Sequence, residues 1–223
     1  MSTILQAREL CKTYKTSSGD VPALKNVNLD LEEGVFYAIT GRSGSGKSTL
    51  LHALSGLDRP TGGRVTVDGT DLYSYSDDRM SAFRRRTMGF IFQQYNLLED
   101  YNVKANICMP LTLDGRRPDE AFFEEITQAL GIHGKLRKYP VELSGGEQQR
   151  VAIARCVLAK PKLIFADEPT GNLDKRTGDE TMALLTSCAA KYGQTLIVVT
   201  HNPEIVSMAD KVISIEDGVV TQG

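Results

Sequence analysis

Apolar and polar residues alternate through Leu24, Val27, Leu29 and Leu31, the period of a strand with one buried face. Residues 4–10 read as an earlier short strand, and the polar, glycine-containing stretch 15–20 as a hairpin tip joining the two. After a turn at Glu32-Glu33-Gly34, residues 35–40 are almost wholly apolar, as in a strand buried on both faces of a parallel sheet. Residues 48–57 predict a helix, and 64–67 a strand that turns at Asp68-Gly69. From about residue 76 to 143 the chain is richer in charge and helix-formers, with an amphipathic helix over 120–130. An α/β rhythm then returns: helix 147–158, strand 163–166, helix 176–191 and strand 195–200. A closing strand pair, 212–215 and 219–220, is joined across Asp217-Gly218. The pattern predicts an α/β core interrupted by a mostly helical lobe.

Composition narrows what such a chain does. Acidic residues (28) slightly outnumber basic ones (26), which argues against a nucleic-acid partner. The one basic cluster, Arg84-Arg85-Arg86, reads as a solvated helix face. Four scattered cysteines and three histidines form no metal-ligand spacing, and reduced thiols in a reducing compartment are expected. No stretch reaches the roughly 18 apolar residues of a spanning helix. The first ten residues lack the apolar region of a signal peptide. A soluble chain follows, reaching a membrane only by docking onto another protein.

Gly41-Arg42-Ser43-Gly44-Ser45-Gly46-Lys47-Ser48 fits G-x-x-x-x-G-K-[ST] in full, between a buried-type strand and an apolar helix. Its glycines let successive N–H groups point at phosphate oxygens, and the helix opening at Ser48-Thr49 aims its positive end there. Lys47 can reach β- and γ-phosphates, and the Ser48 hydroxyl can ligate Mg²⁺. The apolar strand 163–166 ends in Asp167 and Glu168. Asp167 is placed to hold Mg²⁺ through its water shell, and Glu168 to accept a proton from an attacking water. The next strand ends at His201, at the same sheet edge, where a γ-phosphate can be sensed.

Leu143-Ser144-Gly145-Gly146-Glu147 opens the helix that runs to Leu158. Ser144 and Glu147 have capping-box spacing, but two adjacent glycines exceed what a cap needs and expose N–H groups at a positive helix end. Two phosphate-binding surfaces on one chain point to each nucleotide being shared by two chains.

With these motifs the sequence resembles the nucleotide-binding domains of ABC transporters over essentially its whole length, 143–147 being similar to their signature motif. Phe92-Gln93-Gln94 is similar to the Q-loop, with Gln93 contacting Mg²⁺ and the γ-phosphate. Asn172-Leu173-Asp174 is similar to the D-loop and His201 to the switch histidine, and Tyr14 stands where the family stacks an aromatic ring on adenine. The resemblance implies an ATPase with a P-loop core and mostly parallel sheet, an antiparallel β subdomain and an inserted helical subdomain. The core would comprise 1–70 and 159–223, and the helical subdomain about 71–158. It implies a head-to-tail homodimer around two ATP and Mg²⁺, each ATP held between one phosphate loop and the Ser144-Gly145-Gly146 of the other copy. The dimer would sit on the cytoplasmic face of the membrane, with a permease helix docked near Gln93, Tyr95 and Leu97.

Residues 90–98 and 166–174 are most similar to the branch serving macrolide export, lipoprotein release and antimicrobial-peptide resistance, with four-helix permeases bearing large extracellular domains. Those systems are described as mechanotransmitters. Glu147 departs from the glutamine of many relatives, and the end at Gly223 leaves no added C-terminal regulatory domain. Two alternatives remain: an ATPase that regulates a cell-wall hydrolase through its membrane partner without transport, and a soluble ABC ATPase. No Asn-Lys-x-Asp guanine reader is present.

Overall fold

The computed structural model describes residues 2–17 and 19–222, with Gln222 by its backbone alone. Ser18 in the expected hairpin tip, and the expected chain end at Gly223, lie outside the described residues. The chain forms two compact units, one running to Arg84 and resuming at Thr195, the other spanning Arg85–Gln194.

In the first unit, β1 (Thr3–Thr16) and β2 (Gly19–Glu32) form a long antiparallel hairpin, Thr16 opposite Gly19 and Thr3 opposite Glu32. β1 extends well beyond the expected strand at residues 4–10. Its inward Leu5, Ala7 and Leu10 are fully buried, but the register slips between Ala7 and Leu10, where Glu9 is left-handed at φ 51°. A bulge of this kind hides period-2 alternation from a linear reading. β4 (Gly62–Val67) pairs with β1, and the short β5 (Thr70–Asp71) with β4, across Asp68-Gly69. Both turn residues have positive φ, as a two-residue hairpin of this hand requires.

The same unit carries a second sheet. β3 (Phe36–Thr40) lies between β8 (Thr195–Val199) and β9 (Lys211–Glu216), parallel to both, and β10 (Val219–Gln222) closes it antiparallel to β9. Tyr37, Ala38 and Ile39 are wholly buried, which is why this strand reads as a continuous apolar run. α1 (Lys47–Leu54) is shorter than the expected 48–57, because left-handed Gly56 ends it. α7 (Pro203–Met208) follows β8.

α2 (Asp77–Thr87) contains the boundary between the units. Its arginine cluster is not the solvated face expected. Arg84 donates to the Gly56 carbonyl, and Arg85 and Arg86 pair with Asp114, so only Arg86 is exposed.

In the second unit, β6 (Met88–Phe92) runs parallel to β7 (Leu163–Asp167), with Phe92 opposite Asp167. Four helices accompany the pair: α3 (Val103–Leu113), α4 (Glu120–Ala129), α5 (Gly145–Leu158) and α6 (Lys175–Lys191). α5 packs against the other three and against β6, burying Val151, Ala152, Ile153 and Ala154 completely. Gly89 of β6 lies so close to Cys156 that a Cβ there would sit 2.2 Å from its sulfur. Burial pushes that thiol up to about 12. The α/β architecture with one antiparallel and one mostly parallel sheet is as expected. Among the described residues no helix is long and apolar enough to cross a membrane.

Candidate functional site

In the first unit, the loop between β3 and α1 is shaped so that only glycine fits at two of its points. A Cβ on Gly41 would lie 2.2 Å from the Ile215 carbonyl oxygen, and one on Gly46 (φ 106°) 2.5 Å from that of Ala23. Ser45 N–H donates to the Arg42 carbonyl at 3.2 Å, and the Ser45 carbonyl accepts from Gly218 N–H at 3.1 Å, closing the loop against the β9–β10 turn. The Lys47 ammonium donates to the carbonyls of Gly41 (3.0 Å) and Arg42 (2.9 Å), folding over the loop that contains Ser43 and Gly44.

Two observations fit this cradle to an anion. The N-cap of α1 is left-handed Gly46 with no side-chain cap, and its first turn, with Ser48 and Thr49, holds no acid. The unfilled N–H groups of a helix start and its positive dipole end are therefore not neutralised by a side chain of the helix. The buried Ser45 hydroxyl has no hydrogen-bond partner within the protein, a group that an oxygen-rich ligand would satisfy.

Tyr14 is anchored beside this helix. Its phenol donates to Asp58 at 2.7 Å and also hydrogen-bonds Thr49. The buried Lys12 ammonium sits 4.9 Å from the ring centroid, held by Asp58 (2.5 Å) and the Arg59 carbonyl (2.7 Å). Burial, then the Asp58 contact, raises the phenol's pKa. Burial works against ionisation of Asp58, but the hydrogen bonds from Lys12 and Tyr14 outweigh it and hold the carboxyl below the usual range. Neither Asp58 nor Lys12 stood out in the sequence.

His201 comes to the same sheet edge as the cradle. Ile39 and Val199 are register partners in neighbouring parallel strands, and Thr200 N–H donates to the Ile39 carbonyl at 3.2 Å. Both strands thus bring the residues just beyond their carboxyl ends, Gly41 and exposed His201, to one edge.

The second unit gathers the remaining candidates on β6, β7, α5 and α6. Gln93 and Glu168 each follow the carboxyl end of one of the paired strands, Phe92 and Asp167 being partners. The Gln93 amide is held by Asn172: its Nε2 donates to Asn172 Oδ1 at 3.1 Å, and Asn172 Nδ2 donates to the Gln93 carbonyl at 2.9 Å. Half-buried Glu168 is left-handed at φ 46°, a strained conformation for a non-glycine residue. Asp174 caps α6, accepting from Thr177 N–H at 3.1 Å, and the Thr177 bonds hold its carboxyl below the usual range.

At the start of α5, Ser144 and Glu147 make the capping box in both directions. The helix therefore begins at Gly145, two residues before the start at 147 that apolar periodicity gave. The Lys135 ammonium, then the Ser144 N–H, hold the Glu147 carboxyl below its usual range. Gly145 and Gly146 are closely faced by side chains: a Cβ would lie 2.7 Å from the Tyr95 hydroxyl at the first and 2.3 Å from Thr177 Cγ2 at the second, so either must shift to admit one. Among the described residues no three His, Cys, Asp or Glu side chains gather as a metal site.

A family model described as ABC transporter matches residues 24–171. The chain is 43% identical over 220 residues to the lipoprotein-releasing system ATP-binding protein LolD of Geobacter metallireducens, covering 98% of each. It is 40% identical over 221 residues to the macrolide export ATP-binding/permease protein MacB of Syntrophobacter fumaroxidans, covering 97% of this chain and 31% of that one. Among solved structures it is similar to the dimeric post-hydrolysis ATP-binding cassette MJ0796 bound to ADP and Pi, with a TM-score of 0.88 and 37% identity, over 99% of this chain and 98% of that one.

Proposed function

The chain belongs to the ABC transporter family as an ATP-hydrolysing subunit of the LolD and MacB branch, and from this we propose that two copies close head to tail around two ATP to drive a membrane permease. The observation that carries the reading is the cradle at Gly41–Ser48, where Gly41 and Gly46 admit no side chain and the helix start is uncapped. It accounts for binding of a polyphosphate by the N–H groups of the loop and Lys47.

Each residue then has a role. Tyr14 offers its ring to adenine, with the opposite face backed by Lys12. Arg42, Ser43, Gly44, Ser45, Gly46, Lys47 and Thr49 surround the phosphates. Ser144, Gly145, Gly146 and Asp174 meet the nucleotide bound by the other copy. Glu168 takes the proton of the attacking water, while Gln93 and His201 orient the γ-phosphate. Ser48, Gln93 and Asp167 would hold Mg²⁺, which would neutralise charge on the β- and γ-oxygens. These are oxygen donors, and too few to bind a metal alone, which fits an ion that arrives with the triphosphate.

The chain works at the inner face of the cell membrane on an integral permease of the four-helix type with a large extracellular domain, which docks on the helical part within 71–158. The cargo is a lipoprotein or a macrolide, following the names of LolD and MacB, or an antimicrobial peptide.

Sharing of the site is tested by mixing Lys47→Ala with Ser144→Arg chains. Neither alone is expected to pair on ATP, while the mixture retains one intact composite site and recovers ATP-dependent dimers in sizing. Absence of recovery would sink the head-to-tail arrangement.

A further inference from the structure

A buried amide fastens the turn that presents Glu168. Gln149 lies on α5 with 0% exposure, and its Nε2 donates to the Pro169 carbonyl at 2.5 Å. Pro169 directly follows Glu168, whose left-handed backbone persists only if its surroundings dictate it. Other fastenings exist: Gly171 N–H donates to the Glu168 carbonyl at 3.0 Å, and Gly171 is pressed on the Gln93 amide, where a Cβ would sit 2.7 Å from Nε2. Of these, Gln149 alone is a polar side chain with no solvent exposure. Its own Oε1 is buried with no hydrogen-bond partner. The bond satisfies the Pro169 carbonyl but strands that Oε1, so the amide's net gain in stability is small.

We propose that Gln149 is a positioning residue: its bond to the Pro169 carbonyl fixes the direction in which the Glu168 carboxylate meets the attacking water. The proposal rests on the assignment of Glu168 as the base. It also joins two functions in one element, because Gln149 lies just over one helical turn from Gly145 on α5. The helix whose tip meets the nucleotide of the other copy also sets the base.

The test is Gln149→Met, which keeps length and loses the donor, in the full chain. Steady-state turnover should fall about ten- to a hundredfold while KM and nucleotide affinity stay within about threefold, as for a misplaced group that acts only in the transition state. In a Glu168→Gln background the same change should add no further loss in single-turnover hydrolysis, since the group it positions is already gone. Gln149→Asn, if the Met variant does not fold, should give the same split between turnover and affinity. Undiminished turnover in both variants, or parallel loss of turnover, affinity and melting temperature, overturns the proposal. Full turnover by Glu168→Gln alone would instead remove the base assignment beneath it.

Discussion

Tyr14 and Asp58 are joined by a 2.7 Å hydrogen bond from phenol to carboxylate, which ties the candidate base platform to the segment just beyond α1. The bond to Thr49 ties the same phenol to α1 itself, so ring and phosphate cradle are held by one body.

For Tyr14→Ala, ATP affinity should fall about tenfold, the loss of one stacked base, while inorganic triphosphate binds as before. Tyr14→Phe keeps the ring and loses the anchor, and its loss should be smaller. Calorimetric titration with both ligands checks this, and equal losses for ATP and triphosphate would remove Tyr14 from base binding.

Gly41→Ala must displace the Ile215 carbonyl or the loop, so it should destabilise the fold by about 1–3 kcal/mol and abolish ATP binding. At Gly44 a Cβ meets nothing within 4 Å and only the φ of 77° is strained, so Gly44→Ala should cost about 1 kcal/mol. Thermal melts with and without nucleotide separate the two.

The strain at Glu168 predicts an unusual ordering of variants. Glu168→Gly relieves a left-handed backbone and Glu168→Ala does not, so the glycine variant should be more stable by about 0.5–1 kcal/mol. Both should hydrolyse ATP at least about a hundredfold more slowly than the parent, as loss of a general base implies. Denaturant unfolding beside a phosphate-release assay reads both effects.

The Glu147–Lys135 pair sets a pH signature. The folded-state pKa of Glu147 is depressed, so its ionised form stabilises the fold. That contribution is complete above the unfolded carboxyl pKa of about 4.3 and is lost as pH falls through the lower folded value. Glu147→Gln keeps the capping geometry without the charge. It should be less stable than the parent by no more than about 1 kcal/mol at pH 7, the gap closing in acid below pH about 4. Urea midpoints across pH measure the convergence.

Much of this was readable from the chain because glycine and lysine at fixed spacing have few other uses. Gly41, Gly46 and Lys47 were found that way, and the Ser144–Glu147 box likewise. β6 escaped because Met-Gly-Phe-Ile-Phe is short and its glycine, needed against Cys156, mimics a break. α3 escaped because Pro110 interrupts it, although Asn102 caps its start in the ordinary way. Asp58, Lys12 and Gln149 were invisible for a deeper reason. A charged or amide residue reads as exposed in a linear pattern, and only the hydrogen-bond partner opposite it shows why it is drawn inward.

The side-by-side run of Ile39 and Val199 has a consequence for chain length. One residue inserted within β8 would carry His201 about 3.3 Å outward and turn it to the opposite face, while the cradle beyond β3 stayed put. Extra residues between 195 and 201 would therefore break the match between His201 and the cradle. The spacing beside the central strand is thus fixed to a single peptide.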